Sequence, residues 1–441
     1  MQQNTTEIFR DAPVPKAVLS NVIPSIISMI MVLIYNLADT FFIGQTKNAL
    51  MVAAVSVATP AFLLFMAVGM LFGIGGTSFI SRMLGEGQEE RAKHASAFCF
   101  WTGLAVGIIS MILIVIFAEP VCKAIGASPD TIEYATQYLR IVAIGIPFLI
   151  ISNAFSNIIR SEGRAKTAMS GMIIGNMANV ILDPVMILLL GWNVAGAAIA
   201  TVIAQGISVV LCLIYIVTKA KILLPEKRHF EPDRGLYADL LAQGFSMGFM
   251  SSIIYVGSIV LQPGINSLGY ETIAGHTAAR KLFSFSMMPL SSMAQAVNTY
   301  VAQNRGADNW ERVRKGIRYA YIFCFSVTAC LIVIVTPLAP TMVHLISGSS
   351  DPTVLGNGAR YLRVAIPFFF ALGLVNCSRL ALQALGEKIL PLLSSFIELF
   401  GKIIFAMVFI PRYHYSAVIW CEPIIWCFMA AELVISLYRN P

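Results

Sequence analysis

The sequence predicts an all-α integral membrane protein of about twelve transmembrane helices, arranged as two pseudo-symmetric six-helix bundles. Three observations carry this. The 441 residues are 57% hydrophobic and 12% charged, about half the charge of a soluble domain, which leaves too little polar surface to cover a water-soluble fold. Apolar runs of bilayer length, about 20 residues, recur along the whole chain. The two halves also echo each other at a nearly constant offset.

The apolar runs fall at 17–42, 51–75, 95–118, 135–158, 168–190 and 194–218, then at 240–265, 275–300, 317–336, 361–382, 389–410 and 415–438. The longest polar stretch, 219–239, separates the sixth run from the seventh and reads as a linker between an N-terminal lobe, 1–218, and a C-terminal lobe, 240–441. Alternate loops are basic: Arg82, Arg91 and Lys93; Arg160, Arg164 and Lys166; Lys219 to Arg234; Arg305 to Arg318. The positive-inside bias therefore expects both termini in the cytoplasm. The formal charge of +7 sits in these short loops, so no nucleic-acid partner is expected. The eight cysteines follow no metal or disulfide spacing. The N-terminus, with Glu7 and Asp11, lacks the basic start of a signal peptide.

The repeat is visible in short motifs. Tyr138-Leu139-Arg140 returns as Tyr361-Leu362-Arg363, and Gly163 as Gly386, both 223 residues on. Each tyrosine motif is followed by Ile-Pro, at Ile146-Pro147 and Ile366-Pro367. Gly85 with Glu90-Arg91 returns as Gly306 with Glu311-Arg312, 221 residues on. Six helices per half leave the halves in the same orientation, related by a pseudo-twofold along the membrane normal, as in alternating-access proteins. Small-xxx-small pairs such as Gly171/Gly175 and Gly244/Gly248 read as close packing inside each half.

Ionisable side chains inside a bilayer cost about 2.5–3.5 kcal/mol on insertion scales and mark function by default. Asp39 in the first run and Asp183 in the fifth stand out. Asn179 precedes Asp183 by one helical turn, Asn176 extends that stripe, Asn36 precedes Asp39, and Thr201 in the sixth run lies at comparable depth. Oxygen ligands of this kind suit Na⁺, and the two acids could equally share a proton. Pro24 in the first run removes a backbone hydrogen bond and reads as a hinge or as a static kink. In the second half the register partners of Asp183 and Asn179 are Ala406 and Lys402, and Glu398 and Lys402 are spaced to pair. Met287 and Met288, with Tyr255, offer an adaptable apolar wall for a substrate. No Walker A or HExxH motif is present, and no enzymatic activity is expected.

In this order along the chain, Asn36–Gly44, Ser81–Gly87, Arg160 with Gly163, Asn179 with Asp183-Pro184, Gly196–Thr201 and Gln303–Gly306 resemble the MATE family, the multidrug and toxic compound extrusion antiporters, most closely its bacterial DinF-like branch. The resemblance implies two six-helix lobes forming a V-shaped cavity; the chain is expected in the plasma (inner) membrane, as a monomer among membrane lipids. It implies export of small amphipathic, often cationic compounds in exchange for Na⁺ or H⁺, with no other cofactor. It places the cation at the positions of Asp39, Asn179, Asp183 and Thr201, and bends the first helix at the position of Pro24. The seventh-span carboxylate of the NorM-like branch is missing. Two rival functions stay open from the residues: a flippase for a lipid-linked precursor, served by the membrane-interior cations Arg280, Lys281 and Lys402, and a channel or sensor without coupled transport.

Overall fold

The computed structural model describes residue 9 and residues 12–46, 48–125, 127–219, 229 and 233–439. Among them the secondary structure is helical throughout. The first half contains α1 (Val14–Gly44), α2 (Ala49–Gly85), α3 (Glu89–Ala124), α4 (Ile132–Ile144), α5 (Ile146–Ser161), α6 (Ala165–Asp183) and α7 (Asn193–Thr218). The second contains α8 (Arg234–Asn266), α9 (Tyr270–Gly306), α10 (Trp310–Ser347), α11 (Pro352–Ala365), α12 (Phe369–Ala384), α13 (Leu390–Ile404), α14 (Ile410–Tyr413) and α15 (Tyr415–Arg439). Eight of the described helices are long and apolar enough to cross a membrane, and two bent pairs raise the number to ten. The remaining two predicted spans are α2 and α9, continuous helices of 37 residues each.

The repeat seen in the sequence governs the local structure. The two bent pairs are α4/α5, at 48°, and α11/α12, at 55°. Each bend sits beside an Ile-Pro pair, where the proline supplies no N–H to continue the helical ladder. The fifth and eleventh spans each loosen into a π turn, Pro184–Leu189 and Phe405–Phe409. The turn after α2 needs a left-handed residue, Gly87 at φ 73°, and the matching turn after α9 uses Asp308 at φ 54°. Asp tolerates that conformation better than most side chains. Pro352 opens α11 behind Asp351, whose carboxylate accepts from the N–H groups of Thr353 and Val354 at 2.7 and 3.1 Å.

The described residues form two compact units, 23–248 and 249–439, with 12–22 belonging to the second. The same packing recurs in each: α2 on α5 and α3 in the first, α9 on α12 and α10 in the second. The first unit closes over Phe79, Ile80, Phe155, Ile158 and Leu240. Its glycines let helices of the same unit approach: a Cβ on Gly107 would stand 2.7 Å from Pro147 Cα, and one on Gly75 would stand 2.9 Å from Gly244 Cα. In the second unit Arg312 holds the start of the chain, donating from Nη2 to the carbonyls of Phe9 and Ala12 at 2.9 and 2.7 Å. The Phe9 ring lies edge-on to Tyr300.

Candidate cation and substrate site

The polar centre of the first unit is built by α1, α6 and α7. Asn179 and Asp183 share one face of α6, one turn apart, and both are buried, at 1% and 0% exposure. Thr201 reaches them because α7 lies tightly on α6 and its π turn. A Cβ on Gly175 would stand 2.8 Å from the Ala204 carbonyl, and one on Gly196 2.7 Å from that of Met186. Asn179 Nδ2 donates to Asp183 Oδ1 at 3.4 Å and to Thr201 Oγ1 at 3.5 Å, while the Thr201 hydroxyl donates to the Ala197 carbonyl at 3.0 Å. From α1, Asp39 meets Asp183 and Asn179. Proline at 184 interrupts the α-helical ladder directly after the second acid, and π turns of this kind recur at functional sites.

This centre is short of donors. Asp39 Oδ1, Asp183 Oδ2 and Asn179 Oδ1 are buried and accept no hydrogen bond among the described residues. Two carboxylates, an amide and a hydroxyl gathered in one centre suit a small hard cation or a shared proton. Beside them lies a cavity of about 70 Å³ lined by Tyr35, Asn153, Asn176, Asn179, Thr201 and Gln205. The Asn176 amide nitrogen is buried there without an acceptor.

Asp39, Asn176, Asn179, Asp183 and Thr201 thus gather in one unit. The side chains of Asn36 and Tyr255 lie outside the described residues. Pro24 is buried within α1, which runs on to Gly44, and its carbonyl accepts from Ser28 Oγ at 3.0 Å. Met287 and Met288 are half-buried on α9 in the other unit. Sequence reasoning missed Tyr138, which stands beside Asp39, Asp183 and Tyr35. Its signal was the Tyr-Leu-Arg motif, read only as a mark of the repeat.

The second unit holds a different centre at the matching place. Arg280 Nη1 on α9 donates to Glu422 Oε2 on α15 at 2.5 Å and to the Tyr361 hydroxyl at 2.9 Å. Tyr361, the counterpart of Tyr138, donates to the same Glu422 oxygen at 3.2 Å. Lys402 Nζ lies 3.8 Å from Glu422 Oε1 and donates to Glu398 Oε1 at 2.9 Å, the pair expected from their spacing. Arg379 Nη2 is 4.0 Å from Glu398 Oε2, and its Nε donates to Ser394 Oγ. The Lys402 stem passes over Gly257 on α8, where a Cβ would stand 2.8 Å from it.

Known proteins agree with this architecture. The MatE family model matches residues 24–185 and again 247–408, two copies 223 residues apart, the offset read from the motifs. The multidrug export protein MepA of Staphylococcus saprophyticus is 25% identical over 446 residues, covering 100% of this chain and 97% of the relative. MepA of Staphylococcus aureus strain N315 is 26% identical over the same shares. Among solved structures, an outward-facing multidrug resistance MATE family transporter of the MOP superfamily superposes with a TM-score of 0.93 at 23% identity, covering 100% of this chain and 98% of that one. A MATE structure in the straight conformation superposes at 0.92 with the same identity and coverage. Two tandem matches to one model, on a fold of the same kind, place the chain in the MatE family, whose members are membrane transporters and not enzymes.

Proposed function

We propose that this protein is a secondary antiporter of the plasma membrane, exporting small amphipathic, often cationic compounds in exchange for Na⁺ or H⁺. The observation that carries this reading is the set of buried, unpartnered oxygens of Asp39, Asp183 and Asn179. Buried carboxylates short of donors are costly in a membrane and are retained where an ion meets them. The multidrug export proteins MepA among its relatives support the substrate class. In the cycle, the cation binds at Asp39, Asn179, Asp183 and Thr201 and neutralises the acids. Its preference for one conformation over the other shifts the protein between them. Pro24 is the hinge at which α1, which carries Asp39, responds. Both termini are cytoplasmic, and the protein works as a monomer among lipids.

The test is ethidium movement in everted vesicles under a pH gradient or a Na⁺ gradient imposed separately, for wild type and Asp183→Asn. Movement under one gradient names the ion. Its loss in the variant at normal expression is expected, and unchanged gradient-driven efflux in Asp183→Asn would sink the assignment.

A further inference from the structure

Resting on the export reading above, we infer that Arg280 is a binding site for the carboxylate of an amphiphilic substrate. The inference starts from how this arginine is held. Both of its hydrogen bonds leave from Nη1, to Glu422 and Tyr361. Nε and Nη2 donate to no described residue. These two nitrogens form the side-on edge of the guanidinium, the edge that meets a carboxylate with two parallel hydrogen bonds.

The edge is also reachable. The Arg280 side chain is 37% exposed, while Glu422, Arg379 and Lys402 are 15%, 9% and 2% exposed. The ionic chain Arg280–Glu422–Lys402–Glu398–Arg379 therefore opens at its Arg280 end. It contains three cations and two carboxylates within a membrane-spanning bundle. Glu432 lies beside Arg379 at the far end, whereas Arg280 has Glu422 as its one acidic neighbour, so an arriving carboxylate would meet the open end of the chain.

The guanidinium is fixed in advance as well. The Phe283 ring lies 4.8 Å beneath it, and that ring stacks on Trp426 at 5.7 Å. Glu422 and Tyr361 hold the opposite corner. A cation immobilised on three sides loses little freedom on binding, and the aromatic floor suits the apolar body of an amphiphile. Met287 and Met288, the apolar wall expected from sequence, follow Arg280 by about two turns on the same helix.

The test compares tetramethylrhodamine, which bears a free carboxylate, with its methyl ester, which differs only in lacking that charge. Transport by the full-length protein is measured in phosphatidylcholine proteoliposomes, with and without phosphatidylglycerol. In Arg280→Gln the ratio of KM for the carboxylate to KM for the ester should rise about tenfold. Arg280→Lys keeps a charge beside Glu422 but loses the fork, so it should raise the ratio less. It also decides the matter if the Gln variant does not fold. A ratio unchanged in both variants while the ester is still exported overturns this inference alone. A wild-type ratio that rises to the variant's value when phosphatidylglycerol is added overturns it too, because the edge then belongs to a lipid phosphate. Failure of wild type to move either dye under any gradient removes the export reading and this inference together.

Discussion

The fifth and eleventh spans loosen through π turns at matching places, and in each the residue one turn before the loosened stretch faces a buried charge. In the first unit that residue is Asn179, held between Asp183 and Thr201. In the second it is Lys402, held between Glu398 and Glu422. The same tyrosine of the repeat, Tyr138 or Tyr361, stands beside each centre. One plan thus supports two electrostatic designs. The second unit pairs each of its buried acids with a cation, whereas the first brings two acids together with no cation among the described residues and leaves oxygens that accept no hydrogen bond. Under the antiport reading proposed above, coupling to an ion falls to the first unit.

That contrast is open to direct attack. Its strongest test makes the first centre resemble the second: Asn179→Lys places an ammonium one turn from Asp183. Gradient-driven ethidium efflux should fall about a hundredfold or more, since a tethered cation now occupies the site. Retained efflux would mean that the open oxygens are not where coupling occurs. The next largest effect lies in the second unit. Lys402→Met leaves Glu398 and Glu422 each short of a partner and should cost about 3–5 kcal/mol in thermal unfolding of the purified protein. Lys402→Met with Glu398→Met should recover part of it, because Glu422 keeps Arg280 while Arg379 loses Glu398.

A third test asks whether a buried acid short of donors costs stability elsewhere in the first unit. Glu162, in the turn after α5, is 3% exposed, and neither carboxylate oxygen accepts a hydrogen bond among the described residues. Burial pushes its pKa up to about 7, against the opposing pull of Arg164. A raised carboxyl pKa means the folded state binds the proton more tightly than the unfolded chain, so stability falls as pH rises from about 4.5 to about 7. Glu162→Gln should therefore stabilise the protein by about 3 kcal/mol at pH 8 and by little at pH 5. Equal gains at both pH values would rule out this cause. The smallest effect concerns the cap of α11. Asp351→Ala should lower stability by about 1 kcal/mol. Asp351→Ser, which copies Ser128 at the matching place of the first unit, should cost only part of that.

Much of this was legible in the sequence for a physical reason. Polar residues in a bilayer are rare, so Asp39, Asn179, Asp183 and Thr201 could be gathered from depth and helical phase alone. The Glu398–Lys402 pair was legible because it lies within one helix. Arg280 and Glu422 are 142 residues apart on α9 and α15, and their meeting depends on how each helix is rotated, which the apolar pattern of a fully hydrophobic helix does not record. Tyr138 was overlooked because a tyrosine inside a membrane helix is unremarkable by composition. Its counterpart in the repeat was the better guide. Likewise, the proline-marked bends were legible at Ile-Pro, while the π turns have no comparable signature in the second unit, where Met407 stands one repeat after Pro184.

The division of α1 and α8 has a consequence for synthesis. Residues 12–22 lie in the unit completed by 249–439, and the first unit includes α8 up to Gly248. Residues 12–22 thus wait for partners that are synthesised more than two hundred residues later. Arg312, which grips Phe9 and Ala12, emerges 300 residues after Ala12 does. The first unit, for its part, stays unfinished until the chain has passed the linker. Expressed alone, a half ending at the linker would lack Leu240 of its own core and the second-unit partners of residues 12–22.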